Sequence, residues 1–308
     1  MKTQPIHISS GDLIADRRYE WARAAQANGD LAAAADLLTQ ALELVPAYGS
    51  AWFALGELRG RLGDREGAIE AFRKARAADP ADRHGAGLQL ARLGALPQGE
   101  MPPAYIRSVF DQYAPGFDKA LVGRLDYRAP ELLLKAVQAT GRRMKFGSVL
   151  DLGCGTGLSG AAFRSFCDWL IGVDLSSGMI AQARRKGLYD RLTEADVLQF
   201  LNDEAALAAR YHLIMAADVF VYLADLAPVV VAVAHALAPG GIFAFTVETH
   251  DGAGILLRDS LRYAHSADHV RAAVKSARLS LASLEFAATR MDKDEPVPGL
   301  VAVAQAPE

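Results

Sequence analysis

This sequence has few cysteines, no net positive charge and few long apolar runs. Each of these features excludes a class of protein. The two cysteines, Cys154 and Cys167, are too few for a disulfide framework and lack the spacing of metal ligands. Both are expected to be small buried residues in a reducing compartment, and no metal is expected. The net charge of −3 offers no basic face, so nucleic acid is not an expected partner.

Apolar segments of membrane-spanning length are also missing. The N-terminal stretch "MKTQPIHISSGDLIADRRYEW" has no apolar core of the kind that a secretory signal needs. The longest apolar stretch, "APVVVAVAHALAPGGIFAF", is interrupted by Pro239, Gly240 and Gly241, which is typical of a helix, a turn and a strand. We therefore expect a soluble, cytoplasmic protein without a membrane partner.

Residues 15–82 contain an internal repeat. Residues 15–48 align with residues 49–82, so that Gly29 and Gly63, like Pro46 and Pro80, lie 34 positions apart. This period is typical of a tetratricopeptide (TPR) helix pair. Two copies are fewer than the roughly three that normally stabilise such an array, so they are expected to rest on "HGAGLQLARLGA" as a capping helix or on the next domain. The expected function of this segment is docking of a protein partner.

The repeat pattern also predicts which side chains form the core of the second copy. Small residues allow its two helices to approach, and large ones fill the space between neighbours. The positions that match the repeat pattern are Trp52, Leu55, Gly56, Ala68, Phe72, Ala75 and the terminating Pro80. The glycine- and proline-rich stretch 94–103 follows, and it predicts either a domain boundary or an ordered loop.

The second half of the chain alternates short apolar strands with amphipathic helices from Gly147 onward. This alternation predicts a doubly wound parallel α/β sheet that is covered on both faces, and the last two strand-like segments predict a closing antiparallel hairpin. In such a sheet, ligands bind beyond the carboxyl ends of the strands. Acidic residues stand at these ends, namely Asp151, Asp174, Asp196, Asp218 and Glu248.

The glycine-rich stretch "SVLDLGCGTG" lies directly after the first of these strands. It has no following lysine, which excludes a phosphate-binding P-loop, and its G-x-G-x-G spacing disfavours a dinucleotide. Asp151 ahead of the loop suits a cationic ammonium better than a pyrophosphate. Asp174, 21 residues after Gly153, is placed to receive ribose hydroxyls. S-adenosylmethionine carries both an ammonium group and ribose hydroxyls.

Residues 104–306 resemble the class I S-adenosylmethionine-dependent methyltransferases. "VLDLGCGTG" matches the first motif of that family and "GVDLSSGMI" matches the second, in the family's order and spacing. The whole chain resembles bacterial methyltransferases that carry N-terminal TPR repeats. The implied architecture is a TPR domain (1–95), a linker and helical lid (96–146), and a seven-stranded Rossmann-like methyltransferase domain (147–308).

The resemblance also implies a set of cofactor contacts. Gly153 and Gly155 would pass under the methionine moiety close to Asp151, and Asp174 would hold the ribose. Near the adenine the family places Met179 and the pair Asp196 and Val197, although Met179 also suits core packing and Asp196 also suits a helix cap. The full implied set is Asp151, Gly153, Cys154, Gly155, Asp174, Leu175, Met179, Asp196, Val197, Ala217 and Asp218.

No universal catalytic residue can be transferred from this family, because the cofactor itself carries the leaving group. The segment "FDQYAPGFD" resembles the lid of quinone-modifying methyltransferases, with Tyr113 lining the transfer channel. His250 and His265 are candidate bases or acceptor ligands. The motif "RYAHS", which resembles a motif of the repeat-bearing members, predicts a substrate wall, and Asp218 and Tyr222 are predicted to lie at the same rim.

Three functions remain open at this point. The first is a methyltransferase for O- or C-methylation of a small-molecule or carrier-bound acceptor. The absence of an Asn-Pro-Pro-Tyr segment after the fourth strand disfavours base methylation. The second is a TPR interaction protein whose methyltransferase domain modifies or regulates a bound protein. The third, a nicotinamide dehydrogenase, conflicts with the glycine spacing.

Overall fold

The computed structural model describes residues 6–119, 126–142, 144–292 and 295–308. The chain divides into two compact units, Met1–Ser108 and Val109–Glu308. The three-part division expected from the sequence stays a prediction. No helix in the described ranges is long and apolar enough to cross a membrane.

The first unit is built from helices. They are α1 (Leu13–Ala27), α2 (Leu31–Leu44), α3 (Gly49–Arg61), α4 (Arg65–Ala78), α5 (Ala86–Arg92) and the start of α6 (Pro103–Tyr113). The 34-residue period is visible in the geometry, because Gly29 and Gly63 both turn the chain with positive φ, +85° and +82°. The aspartate after each glycine, Asp30 or Asp64, then caps the next helix. The sequence repeat is therefore a repeat of helix pairs.

Close packing between α3 and α4 explains the glycine in the second copy. A Cβ atom on Gly56 would lie only 2.7 Å from the ring of Phe72, so no larger residue fits without displacing that ring. Phe72 packs on Phe53 with 5.4 Å between ring centroids. Ala86 and Leu90 of α5 belong to the same buried cluster, so α5 caps the repeats as predicted.

The second unit is a mixed α/β structure. Its helices are α7 (Ala129–Ala139), α8 (Leu158–Phe163), α9 (Ser177–Lys186), α10 (Val197–Ala206), α11 (Ala227–Ala236) and α12 (Ala267–Ser276). Its strands are β1 (Phe146–Leu152), β2 (Cys167–Asp174), β3 (Arg191–Glu194), β4 (Tyr211–Ala216), β5 (Leu237–Glu248), β6 (Ile255–Leu257), β7 (Tyr263–His265), β8 (Ser280–Phe286), β9 (Met291–Asp292), β10 (Glu295–Pro296) and β11 (Gly299–Gln305).

The main sheet has the strand order β3-β2-β1-β4-β5-β11-β8. Strands β1 to β5 run parallel, whereas β11 is antiparallel to both β5 and β8. Successive residues of β1 point to opposite faces, with Val149 and Leu150 in different buried clusters, so both faces are covered. The predicted fold class, a parallel sheet with a closing antiparallel hairpin, is confirmed. A short hairpin of β6 and β7, attached to β5, was not predicted.

Candidate functional site

The carboxyl ends of the parallel strands meet at one edge of the sheet. The chain crosses to opposite faces there, since β1 pairs with β2 on one side and with β4 on the other. Register places Asp151 of β1 beside Gly172 of β2 and Met215 of β4. A ligand site at this switch point is what an open α/β sheet produces.

The glycine loop after β1 needs glycine for two separate reasons. Gly153 and Gly155 have positive φ values, +61° and +54°, which residues with a side chain rarely adopt. A Cβ atom on Gly153 would also lie 2.5 Å from the Val219 side chain, which follows β4. The backbone amide of Cys154 donates to Val173 O at 2.9 Å and ties the loop to β2. The loop therefore presents bare backbone at the sheet edge.

Asp174, the last residue of β2, is held by the same loop. Its Oδ2 accepts from the Gly155 backbone amide at 2.8 Å, and its Oδ1 accepts from the Ser176 amide at 2.8 Å. A carboxylate has about four acceptor positions, so these contacts leave acceptor capacity for a ligand such as a ribose diol. Burial raises the pKa of Asp174 to about 6, against the opposing effect of these hydrogen bonds.

Asp151 lies beneath the loop rather than at its rim. It is fully buried, and its Oδ2 accepts from the Tyr189 hydroxyl at 2.6 Å. Burial, together with the charge of Asp174, raises its pKa to about 7, although the Tyr189 hydrogen bond lowers it. Tyr189 also packs on Gly157 and Gly160, so it supports the loop from below. Sequence reasoning missed this tyrosine because it lies in the loop before β3, outside every motif.

The remaining predicted cofactor residues occupy two depths. Cys154 and Met179 are buried, and Met179 has no exposed surface in this structure. The half-buried ones line the edge, namely Gly153, Gly155, Leu175, Asp196, Val197, Ala217 and Asp218. Asp196 caps α10, because its Oδ1 accepts from the amides of Leu198 and Gln199. The structure thus shows the helix cap, and the adenine contact of Asp196 stays a prediction.

The C-terminal part of α6 and the turn after it pack over the glycine loop. Asp111 Oδ1 accepts from the Ser176 hydroxyl at 2.5 Å and from the Gly178 amide at 3.0 Å, so it adds a second cap to α9. Phe117 lies near Gly155, where an added Cβ would be 3.9 Å from its ring. Asp118 binds the Thr156 hydroxyl and forms an ion pair with Lys186 at 2.7 Å. This segment, residues 109–119, is called the lid below.

The three predicted catalytic candidates lie in different surroundings. Tyr113 ends α6 within the lid, and it is half-buried. His250 Nδ1 accepts from the Gly252 amide at 3.1 Å, and its Nε2 faces Gly254 O at 3.2 Å, so both nitrogens hold a local turn. His265 is fully buried in β7, with Nε2 facing Phe220 O at 3.2 Å. Burial lowers its pKa to about 4. A catalytic role for each stays a prediction.

A network of ion pairs follows the ends of β4 and β5. Arg290 is buried and bridges two strand ends, with its Nη1 3.0 Å from Asp218 Oδ2 and its Nη2 paired with Glu248 Oε1. Arg258 and Arg262 flank the same glutamate, at 3.4 Å and 3.6 Å. The sequence predicted Asp218 and Glu248 as strand ends and placed Arg262 in the "RYAHS" motif. It did not single out Arg290 or Arg258. Both come from irregular segments with no motif.

Known proteins resemble parts of this chain. Residues 150–243 match the family described as a methyltransferase domain, and residues 25–93 match the family described as a tetratricopeptide repeat. Methyltransferase-like protein 27 from Homo sapiens is 42% identical over 87 residues, which are 27% of this chain and 35% of that protein. Malonyl-[acyl-carrier protein] O-methyltransferase from Enterobacter lignolyticus is 28% identical over 155 residues, 49% of this chain and 57% of that protein.

Among solved structures, an S-adenosylmethionine-dependent methyltransferase from Clostridium acetobutylicum covers 65% of this chain and 99% of its own, with 17% identity and a TM-score of 0.48. The chain spans less than two thirds of the length of either curated relative, 35% and 57%.

Residues 150–243, which contain most of this parallel sheet and its glycine loop, therefore match a methyltransferase domain. In this chain that match follows a TPR match, and S-adenosylmethionine is the cofactor that the sequence predicts for it.

Proposed function

We propose that this protein transfers the methyl group of S-adenosylmethionine to an oxygen or carbon atom of a small-molecule or carrier-bound acceptor. The observation that carries the proposal is the Gly155–Asp174 contact, which joins the glycine loop to the carboxylate at the next strand end. The glycines of the loop suit the methionine moiety of this cofactor, and the oriented carboxylate suits its ribose.

The described residues fit that cofactor in the chemistry of their donors and acceptors. Gly153 and Gly155 would lie against the methionine moiety, since neither has a side chain in the way. Asp174 would accept from the ribose hydroxyls with the acceptor capacity that its backbone contacts leave open. Asp151 would act from beneath the loop, where it is buried and accepts from the Tyr189 hydroxyl.

When bound, S-adenosylmethionine supplies an activated methyl group on a sulfonium, so the protein needs no nucleophile of its own. The work of the chain is to align the acceptor and to exclude water. The lid serves the second task, because Asp111 and Asp118 fasten it to α9 and to the glycine loop. Ala217 and Asp218, at the end of β4, would border the methyl group.

The acceptor is the finer part of the proposal. One relative, 28% identical over about half of this chain, is named as an O-methyltransferase of a malonyl group on a carrier protein, which supports an oxygen acceptor on a small or carrier-bound acid. The TPR match supports a second element, the docking of a protein partner or of a carrier through residues 25–93.

A transfer assay tests this function directly. The purified protein is incubated with S-adenosylmethionine labelled in its methyl group and with fractionated small-molecule and protein extracts. Label in a small-molecule or carrier-protein fraction supports the proposal. Label only in an unrelated protein would favour the alternative, a TPR-directed protein methyltransferase, and the absence of transfer by a protein that binds the cofactor would contradict both.

A further inference from the structure

The turn that joins β6 to β7 brings two arginines to one buried glutamate. The Arg258 amide donates to Arg262 O at 2.9 Å, and the Leu261 amide donates to Arg258 O at 2.9 Å, which closes the turn. Glu248, the last residue of β5, then lies 3.4 Å from Arg258 Nε and 3.6 Å from Arg262 Nη1. β7 pairs with β5 at Glu248 itself, so the sheet sets this geometry.

The ion pairs of this network do not balance. Within the described residues, three guanidinium groups, those of Arg258, Arg262 and Arg290, pair with two carboxylates, those of Asp218 and Glu248. The buried Arg258 Nε faces Glu248 Oε2, and Arg258 Nη2 donates to Thr249 O. An excess positive charge in a partly buried site costs free energy unless an anion binds.

The members of the network differ in access. The side chains of Glu248 and Arg290 are 2% and 7% exposed, whereas those of Arg258 and Arg262 are each 28% exposed. Arg290 is therefore occupied by the two strand-end acids. Arg258 and Arg262 are the two arginines of the network with appreciable exposed surface, and the guanidinium fork suits a carboxylate.

The half-buried Arg262 lies close to the lid through Tyr222. The Arg262 guanidinium is 5.6 Å from the centre of the Tyr222 ring, and Tyr222 packs edge-on against Phe110 with 5.3 Å between ring centroids. Phe110 belongs to the lid, which covers the glycine loop. An anion on Arg258 and Arg262 would therefore lie on the β4 and β5 side of the cofactor site, where an acceptor must enter.

The same region offers poor proton acceptors. Burial lowers the pKa of His265 to about 4. Burial also raises the pKa of Tyr222, and it raises that of Tyr127 well above its ordinary value. A neutral alcohol or a protonated amine would need a base before methylation, whereas a carboxylic acid is already ionised at neutral pH.

We propose that the acceptor is a carboxylic acid, which the partly exposed guanidinium groups of Arg262 and Arg258 bind as its anion. This inference rests on the proposed function. An acceptor oxygen forms a bond to the methyl carbon, the sulfur–methyl bond breaks, and its electron pair stays on sulfur. The products are a methyl ester and a neutral thioether, and no proton moves.

Calorimetry on the full chain saturated with S-adenosylhomocysteine tests this assignment. The probes are hexanoate, glutarate and the half-thioester of glutarate with pantetheine. The control for each probe is the same compound with a carboxamide in place of the free carboxylate. The protein is expected to bind at least one acid about 10-fold more tightly than its amide. A preference for the thioester over free glutarate would identify a carrier-bound acceptor, and the reverse a free acid.

Variants then assign the binding to the arginines. R262Q is expected to weaken acid binding about 10-fold while the affinity for S-adenosylhomocysteine changes less than about 2-fold. R271Q, which alters an exposed arginine on α12, is the matched control and should change neither. R262K keeps the positive charge beside Glu248 and should retain part of the preference for the acid over its amide. If R262Q does not fold, the reduced preference in R262K tests the same assignment.

The outcomes separate the two proposals. Equal binding of acids and amides, no acid binding, or an acid preference that survives in folded R262Q would overturn the carboxylate assignment and leave the cofactor assignment standing. Failure of the wild-type protein to bind S-adenosylhomocysteine would instead overturn the proposed function.

Discussion

Asp174 Oδ2 accepts a hydrogen bond from the Gly155 backbone amide, with 2.8 Å between the two atoms. The contact joins the ends of β2 and β1 across the sheet edge, and it orients the carboxylate before any ligand binds. Preorganisation of this kind reduces the loss of side-chain conformational entropy on ligand binding. The orientation of the proposed cofactor-binding carboxylate is therefore set by the packing of two strands.

The first prediction concerns the pH dependence of stability. The pKa of Asp151 is raised from 3.8 to about 7, so the folded state takes up a proton there more readily than the unfolded state. The wild-type free energy of unfolding should therefore rise as pH falls from 8 to 6, by about 1.4 kcal/mol relative to D151N, which does not titrate. Denaturant unfolding at each pH measures this difference. A difference that stays constant with pH would contradict it.

The second prediction concerns the lid. D111A removes the acceptor for the Ser176 hydroxyl and the Gly178 amide, so the unfolding free energy should fall by about 1 kcal/mol. Amides in residues 109–119 should exchange with deuterium faster, and the affinity for S-adenosylmethionine should drop about 5-fold. The control is Q112A, which alters an exposed residue on the same helix. Equal exchange in both variants would mean that Asp111 does not fasten the lid.

The third prediction separates two glycines of α3. A Cβ atom on Gly56 would lie 2.7 Å from Phe72, whereas one on Gly60 would meet only Ala68 at 3.9 Å. G56A should therefore destabilise the protein by about 1–3 kcal/mol through overpacking. G60A should stabilise it by about 0.5–1 kcal/mol, because alanine favours a helix interior. Thermal unfolding of both variants tests this, and shifts of the same sign would contradict the packing described here.

Sequence patterns predicted the parts of this structure that depend on local or periodic signals. The 34-residue repeat, the five parallel strands and the glycine loop each leave such a signal, because backbone conformation and burial restrict the residue types. The β6–β7 hairpin has strands of only three residues, too short for an alternating pattern. Tyr189 and Arg290 matter through contacts that are distant in sequence, with Asp151 and Asp218 respectively. No single-sequence pattern predicts such pairs.

The histidines illustrate the same limit. "RYAHS" drew attention to His265 as a residue type that suits catalysis, but the sequence does not show that its ring is buried and faces a backbone carbonyl. The arginine in the same motif, Arg262, is the residue that the structure brings to the rim of the site.

The central claim, an S-adenosylmethionine site built on Asp174, is tested most directly by calorimetric titration of S-adenosylhomocysteine into wild-type protein, D174A and D203A. Asp203 is exposed on α10 and serves as the control. We predict micromolar affinity for the wild type and for D203A, and a loss of about 100-fold for D174A, since charged hydrogen bonds to two hydroxyls disappear. Absence of binding by folded wild-type protein, or unchanged affinity in D174A, would contradict the assignment.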